Sequence, residues 1–395
     1  MKPFLSILVF LFVGQVYAGE PLTVTGVSYY PAPGAELVEN VNLEIENGRI
    51  TRITRGKSAS RGQRIHGKGL TASYGFWNSH VHFTDPRVLE DPQGVLDDML
   101  LQYGFTQVLD TGSYLVDTLR LKQQIVDGKL RGPAIYTANG SFVYKDGTPA
   151  YLPPDLKLPE AATPEEGAAL TEYFLGEGAD GIKIFSGSFQ TPEETIYLPV
   201  PVIRAIADAA HARDSFVVAH PTTVLGFSNA VEGGVHVMAH TTSAGSVISE
   251  GTLKKMQAKN IALIPTLSLW RYEMMKFTGS ERIADAVEGD AIAQMQQLLA
   301  ADIEILFGTD VGYMTEFDTR REFALLRRAG MDWPAIHHAL TVGPARRFSK
   351  EDAVLEAGAR ANIVLLEGDP ATDITALSNV AYTIIDGKVV YRRAD

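Results

Sequence analysis

From about residue 69 to residue 348, short unbroken apolar runs alternate with longer amphipathic stretches. The runs are LTASYGFWNSH (70–80), FTQVLD (105–110), PAIYTAN (133–139), DGIKIF (180–185), SFVVAH (215–220), VHVMAH (235–240), NIALIPT (260–266) and EILFGTD (304–310). They are rich in β-branched residues and lack polar alternation, the pattern of parallel strands covered on both faces. Between them, GVLDDMLLQYG (94–104), PVIRAIADAAHAR (201–213) and REFALLRRAG (321–330) space apolar residues at helical intervals. Eight strand–helix units in about 280 residues predict an α/β fold, a (β/α)8 barrel of TIM type over residues 69–349. The alternative, a doubly wound open sheet, lacks the G-x-G-x-x-G that would follow its first strand.

Both ends of the chain carry a different period. Val41, Leu43 and Ile45 alternate with polar residues and run into Asn47-Gly48, a hairpin-turn pair. ANIVLLEGDP (361–370) and VAYTIIDGKVVYR (380–392) have the same texture, with Asp386-Gly387 as a second turn. Residues 19–68 together with 350–395 are therefore expected to form one small β-sandwich-like domain built from both termini. The stretches 140–165 and 266–302 each follow a predicted strand, which makes them lid candidates at the catalytic end of a barrel.

The first eighteen residues read as a removable leader. Lys2 precedes the apolar run FLSILVFLFV (4–13), and Val16 and Ala18 stand at −3 and −1 of a cut before Gly19. The run is well short of the ~20 residues a spanning helix needs, so a signal peptide over 1–18 and an exported protein, periplasmic or secreted, are expected. A net charge of −12 argues against nucleic acid or an anionic membrane surface as a partner once the leader is cleaved. The partner expected is a small-molecule substrate; a homo-oligomer is compatible with the sequence, which does not determine the oligomeric state. The chain has no cysteine, which removes disulfides, thiolate nucleophiles, Cys-ligated metals and a lipid-anchored start.

The polar residues that interrupt the predicted strands collect at one end of them. The first strand ends in His80-Val81-His82, the fourth carries Lys183, the fifth ends in His220, the sixth in His240 and the eighth in Asp310. Barrel enzymes take their reactive groups from these C-terminal strand ends. Residues i and i+2 of a strand share a face, so His80 and His82 can act on one ion together. Four imidazoles and a carboxylate suit one or two divalent ions, zinc first by ligand type. Lys183 lies between Ile182 and Ile184, where desolvation favours the neutral, nucleophilic amine; a snorkelling or paired lysine is the simpler alternative. His66, His211, His236, His337 and His338 fall off this rim and read as structural. Tyr144, Ser186, Thr241, Arg271 and Tyr313 lie in rim loops, and Arg271 is a candidate clamp for a substrate carboxylate, though a solvated arginine explains it as simply.

The ordered set HVH, GIKIF, VVAHP, VMAHT and FGTDVG resembles the metal-dependent amidohydrolase superfamily, in its imidazolonepropionase-like and prolidase-like branch. The tail GARANIVLLEGDPATDITALSNVAYTIIDGKVVYRR (358–393) is similar to that branch's C-terminal β-domain. The resemblance implies one metal ion held by His80, His82 and Asp310 and a second by His220 and His240. It also implies a carbamate on Lys183, derived from CO2, bridging them with a hydroxide. Asp310 is then the catalytic acid–base residue, shuttling a proton from the nucleophile to the leaving nitrogen. The implied reaction is hydrolysis of a C–N bond in a dipeptide, an N-acyl amino acid or a cyclic amide. A lactonase or phosphotriesterase on the same site is the enzymatic rival, and a non-catalytic binding protein on an inherited barrel is the rival of another class. Two positions depart from the pattern, with Asn78 and Asn362 standing where similar chains usually have Asp.

Overall fold

In the computed structural model, which describes residues 20–56, 62–242 and 247–394, the two periodicities of the sequence build two main sheets. The leader expected over residues 1–18 lies outside the described residues. The strand-rich ends supply β1 (Leu22–Tyr29), β2 (Val38–Glu46), β3 (Arg49–Thr54), β4 (Gln63–His66) and β5 (Leu70–Tyr74). The barrel follows with β6 (Phe76–Val81), β7 (Phe105–Asp110), β8 (Ala134–Phe142) and β9 (Gly181–Phe185). A two-stranded hairpin, β10 (Gly187–Thr191) with β11 (Glu194–Tyr197), caps the fourth barrel strand and was not expected from the sequence. The barrel resumes with β12 (Phe216–His220), β13 (Val237–Ala239) and β14 (Ala262–Ile264), and the chain closes with β15 (Ile363–Glu367), β16 (Val380–Ile385) and β17 (Lys388–Arg392).

The first sheet has eight strands in the order β17-β16-β15-β5-β1-β2-β3, with β4 also paired to β1. It joins both termini, as their shared alternation implies. Asn47-Gly48 and Asp386-Gly387 make the β2–β3 and β16–β17 turns, all four residues having positive φ. Two consecutive left-handed residues match the twist of a hairpin, which is why Asn-Gly and Asp-Gly stand there.

The second sheet has seven parallel strands in the order of the chain, from β6 to β14. Residues 304–311 fill the eighth position as an irregular segment rather than a continuous strand. They bridge to β14 through Leu263 and Ile305 and to β6 through Val81 and Val311. Backbone bonds from Ser79 N to Phe307 O (2.8 Å), Asp310 N to His80 O (2.9 Å) and His82 N to Val311 O (2.8 Å) close the ring. The expected first strand, 70–80, is two strands: β5 belongs to the strand-rich sheet and β6 to the barrel. Gly75 marks the crossing, where a Cβ would come within 2.1 Å of the Thr106 hydroxyl.

Each barrel strand presents one face to the helices and one to the interior. Ile182 and Ile184 pack in the helix-facing core, and Lys183 between them turns inward. Val217 and Ala219 likewise face the helices, while Val218 faces inward. Among the described residues no helix is long and apolar enough to cross a membrane.

Candidate metal centre

Two strand ends reach the rim only because their alternation breaks. On β6, Phe76 and Val81 both pack among the helices, which strict alternation over five positions forbids. Register shifts along β6, one of them between Asn78 and Val81, change the phase and turn His80 and His82 inward. On β13, Val237 and Ala239 face inward and Met238 outward, so His240 should follow Met238. A φ of 75° at His240 reverses it towards the interior. Asp310 is also left-handed, at φ 64°. Residues of this kind held in such conformations cluster where a site over-determines them.

The result is a convergence of ligand-type atoms. His80, His240 and Asp310 each offer one such atom within 4.8 Å of the others, and all three are buried. Asp310 Oδ1 lies 2.9 Å from His82 Nε2 and 3.3 Å from His80 Nε2, and its Oδ2 lies 4.0 Å from His240 Nε2. The His220 ring stands 4.8 Å from that of His240, and His240 stands 4.6 Å from His80. The compact trio thus spans both halves of the partition expected from the sequence. Lys183 sits within electrostatic reach of these imidazoles and of Asp310, with 2% of its surface exposed.

The protonation states fit a cation. Burial first, and then the neighbouring Lys183 and other imidazoles, hold His80, His220 and His240 well below the usual imidazole range. Neutral rings present lone pairs. For His240 the tautomer follows from one hydroxyl: Thr266 Oγ1 donates to Pro265 O (2.9 Å) and lies 2.6 Å from His240 Nδ1. Having spent its proton, that oxygen accepts from Nδ1–H, which leaves the His240 Nε2 lone pair facing Asp310. Asp310 Oδ1 is buried without a hydrogen-bond donor, although two imidazole nitrogens face it. Nitrogen and carboxylate lone pairs aimed at one point are a donor set for a zinc-type ion. Lys183 complements it: burial pushes its amine down to about 8, with Asp310 and Asp110 pulling the other way. No hydrogen bond or close ion pair holds its Nζ among the described residues.

Several residues that position the centre were not singled out for that role by the sequence. Asn78 is fully buried and sutures β6 to the eighth segment: its Oδ1 accepts from His80 N and Thr309 N (both 3.2 Å), and its Nδ2 donates to Thr309 Oγ1 (2.7 Å). An amide serves here because it supplies both donor and acceptors. Asn78→Ala should cost about 2–4 kcal/mol, since it strands two buried backbone donors. Asn78→Asp should cost much less, because the Thr309 hydroxyl can turn to donate. Urea unfolding midpoints of the metal-free proteins check this, and equal midpoints for the two variants would sink the account. Asp110, at the end of β7, accepts from the hydroxyls of Ser113 (2.5 Å), Thr118 (2.7 Å) and Thr137 (3.2 Å); Ser113 Oγ in turn accepts from Phe83 N (2.7 Å), next to His82. Gly308 and Gly312 flank Asp310 for a steric reason: a Cβ at 308 would lie 2.9 Å from His80 Cβ, and one at 312 would lie 1.8 Å from His82 O.

Other candidates are placed elsewhere. Asn362 is structural, its Oδ1 accepting from Asp386 N at the β16–β17 turn. Arg271 is paired with Glu281 and Asp285 on the neighbouring helix, so it is not free to clamp a substrate carboxylate. His236 stacks on His211 and accepts from Val217 N, His337 stacks on Trp333 beside Ser73, and His338 meets Glu304.

The amidohydrolase family model matches residues 72–390. Among solved structures, an Xaa-Pro dipeptidase with methionine bound in its active site is 21% identical, with a TM-score of 0.81, the match covering 94% of this chain and all (100%) of that one. A candidate prolidase from Bifidobacterium longum is 25% identical with a TM-score of 0.80, covering 94% and 95% of the two chains. A prolidase complexed with N-methylphosphonate-L-proline is 23% identical with a TM-score of 0.79, covering 94% and 100%. No curated protein matches the chain.

Proposed function

The chain belongs to the amidohydrolase family, and from that membership we propose that this metal-dependent hydrolase cleaves the C–N bond of a small amide, with dipeptides as its leading substrate class. The observation that carries the proposal is the convergence of His80, His82, His240 and Asp310 on one point beside the buried amine of Lys183. The similarity to an Xaa-Pro dipeptidase and to a prolidase supports dipeptides over N-acyl amino acids and cyclic amides.

His80, His82 and Asp310 Oδ1 would hold one ion and His220 and His240 a second, with Lys183 as a carbamate between them. Divalent ions bound there, zinc by donor type, supply Lewis acidity to the scissile carbonyl and bring the pKa of a water towards neutrality. The carbamate forms when the Lys183 nitrogen attacks CO2 and releases a proton to water. At a pKa of about 8 the amine is neutral in about a tenth of molecules at pH 7, far more than an ordinary lysine. Asp310 uses its two oxygens differently. Oδ1 is turned to His80 and His82. Oδ2 is left to take a proton from the attacking water and return it to the leaving nitrogen, which an amide needs because its anion leaves poorly. Export directed by residues 1–18 would place this activity outside the cytoplasm.

The test is kcat/KM of the metal-loaded protein on matched dipeptides, N-acyl amino acids, cyclic amides, lactones and phosphotriesters. Dipeptides are expected to lead. Higher efficiency on lactones or phosphotriesters overturns the amide reading, and fewer than about one ion per chain after metal-supplemented expression overturns the metal mechanism.

A further inference from the structure

Five side chains that the metal centre leaves unused gather on the same rim from three different connections. Tyr151 comes from the segment after β8; Tyr272, Glu273 and Lys276 come from the helix Leu267–Thr278 after β14; Tyr313 comes from the loop just past Asp310. The Tyr313 ring meets Tyr151 edge-on at 6.0 Å and Tyr272 edge-on at 6.4 Å. Tyr313 Oη donates to Glu273 Oε1 at 2.9 Å. The helix that carries Glu273 is fixed at its start by buried Glu322, whose carboxylate accepts from Leu267 N and Ser268 N at 2.8 Å each. Asp310 is near enough for its charge to reach Tyr151, Glu273 and Tyr313, which places the cluster beside the reacting groups.

Tyrosine faces around a carboxylate are the chemistry of a cation site. The protein supplies its own demonstration: Lys276 Nζ lies 5.2 Å from the Tyr313 centroid and 6.0 Å from that of Tyr272. Yet that ammonium makes no ion pair with Glu273, although its charge is felt there. Among the described residues no lysine, arginine or histidine lies within ion-pair distance of the Glu273 carboxylate, whose one hydrogen-bond donor is Tyr313. Burial pushes Glu273 up to about 7, with the Asp310 charge adding to it and the Tyr313 hydroxyl and the Lys276 charge pulling the other way. A half-buried acid without an ion-pair partner, bonded to a tyrosine hydroxyl and within electrostatic reach of Asp310, is poorly explained by packing alone.

We propose that Glu273, with Tyr151 and Tyr313, forms the subsite for a cationic nitrogen of the substrate, so that the enzyme selects amides bearing an ammonium group over isosteric neutral ones. The proposal rests on the amide-hydrolase reading above and narrows it. The ammonium has two sources, the α-amino group of a dipeptide or a basic side chain. Lys276 is a competitor: its own charge beside the rings opposes a second cation.

Two matched substrate pairs separate these sources on the metal-loaded enzyme. Methionyl-proline against N-acetyl-methionyl-proline isolates the α-ammonium. N-acetyl-lysyl-proline against N-acetyl-norleucyl-proline isolates the side-chain ammonium. The wild-type enzyme is expected to show KM at least about tenfold lower for the cationic member of one pair, which identifies the source. Glu273→Gln should bring that ratio towards one, and Lys276→Met should raise it. Ratios near one for both pairs in the wild type, or a ratio that Glu273→Gln leaves unchanged, overturn the subsite. Hydrolysis of all four substrates without charge preference sinks the subsite alone. If none of the four is hydrolysed, the dipeptide reading fails; calorimetric Kd values for the same pairs, scored by the same ratios, then decide the subsite separately.

Discussion

Asp310→Asn is expected to lower kcat on the best amide substrate by about 10³-fold, with a smaller change in KM. The substitution keeps the size of the side chain and its left-handed backbone, at φ 64°, is one that Asn also tolerates, so the fold should survive. On the proposed mechanism, what is lost is a proton carrier in the position of Oδ2, and general acid–base groups are typically worth about 10²–10⁴-fold. The second loss is charge. Oδ1 is close to two imidazoles at once, and a neutral amide oxygen binds a divalent cation less tightly. Measuring kcat under saturating metal separates these effects, because added metal repairs the second and not the first. A variant within tenfold of wild-type kcat under those conditions would remove Asp310 from the proton path.

The second large effect is expected at Lys183. Lys183→Met keeps the length and the apolar stem that pack on β9 but removes the amine. Replacing a buried amine by a thioether should leave thermal stability of the metal-free protein equal or higher. Metal content is nevertheless expected to fall from near two ions per chain to about one or less, and amide hydrolysis by at least about 10²-fold. Lys183→Ala should lose the same functions while opening space, and added acetate or propionate should restore part of the metal content and rate. Rescue is the decisive arm, since a carboxylate replaces a carbamate but does nothing for a merely structural lysine. Unchanged metal content and rate in Lys183→Met would exclude the carbamate.

Both variants act on residues that the sequence exposed readily, and the reason is chemical. A histidine, lysine or aspartate at the end of an otherwise apolar strand has no packing role to explain it, so HVH, GIKIF, VVAH, VMAH and FGTD stand out against their surroundings. The strand-rich ends and the glycine turns were equally plain, because alternation and left-handed turn residues are local properties. Asn78 and Asp110 were not legible in this way. Asn78 was visible only as a departure from an expected Asp, and its work lies in bonds to His80 N and to Thr309, 231 residues away along the chain. Asp110 ends an apolar strand like the others, but three hydroxyls from separate elements show it to be a support for the loop beside His82.

The sequence by itself therefore determined the class of fold, the order of the strands and which ligand-type residues end them, because each depends on the period and chemistry of a few consecutive positions. Tertiary structure decided which way those atoms point. Strict alternation would have sent His240 towards the helices with Met238, and would have set Phe76 and Val81 on opposite faces of one strand. A register shift within β6 and left-handed backbone at His240 and Asp310 override it. Such backbone is unfavourable locally, and it persists because pairing to neighbouring strands, and glycines that admit a close approach, fix it from outside the segment. The same holds for the tyrosine–carboxylate cluster around Glu273: its members lie on three separate connections, and only the closed barrel brings those connections to one rim.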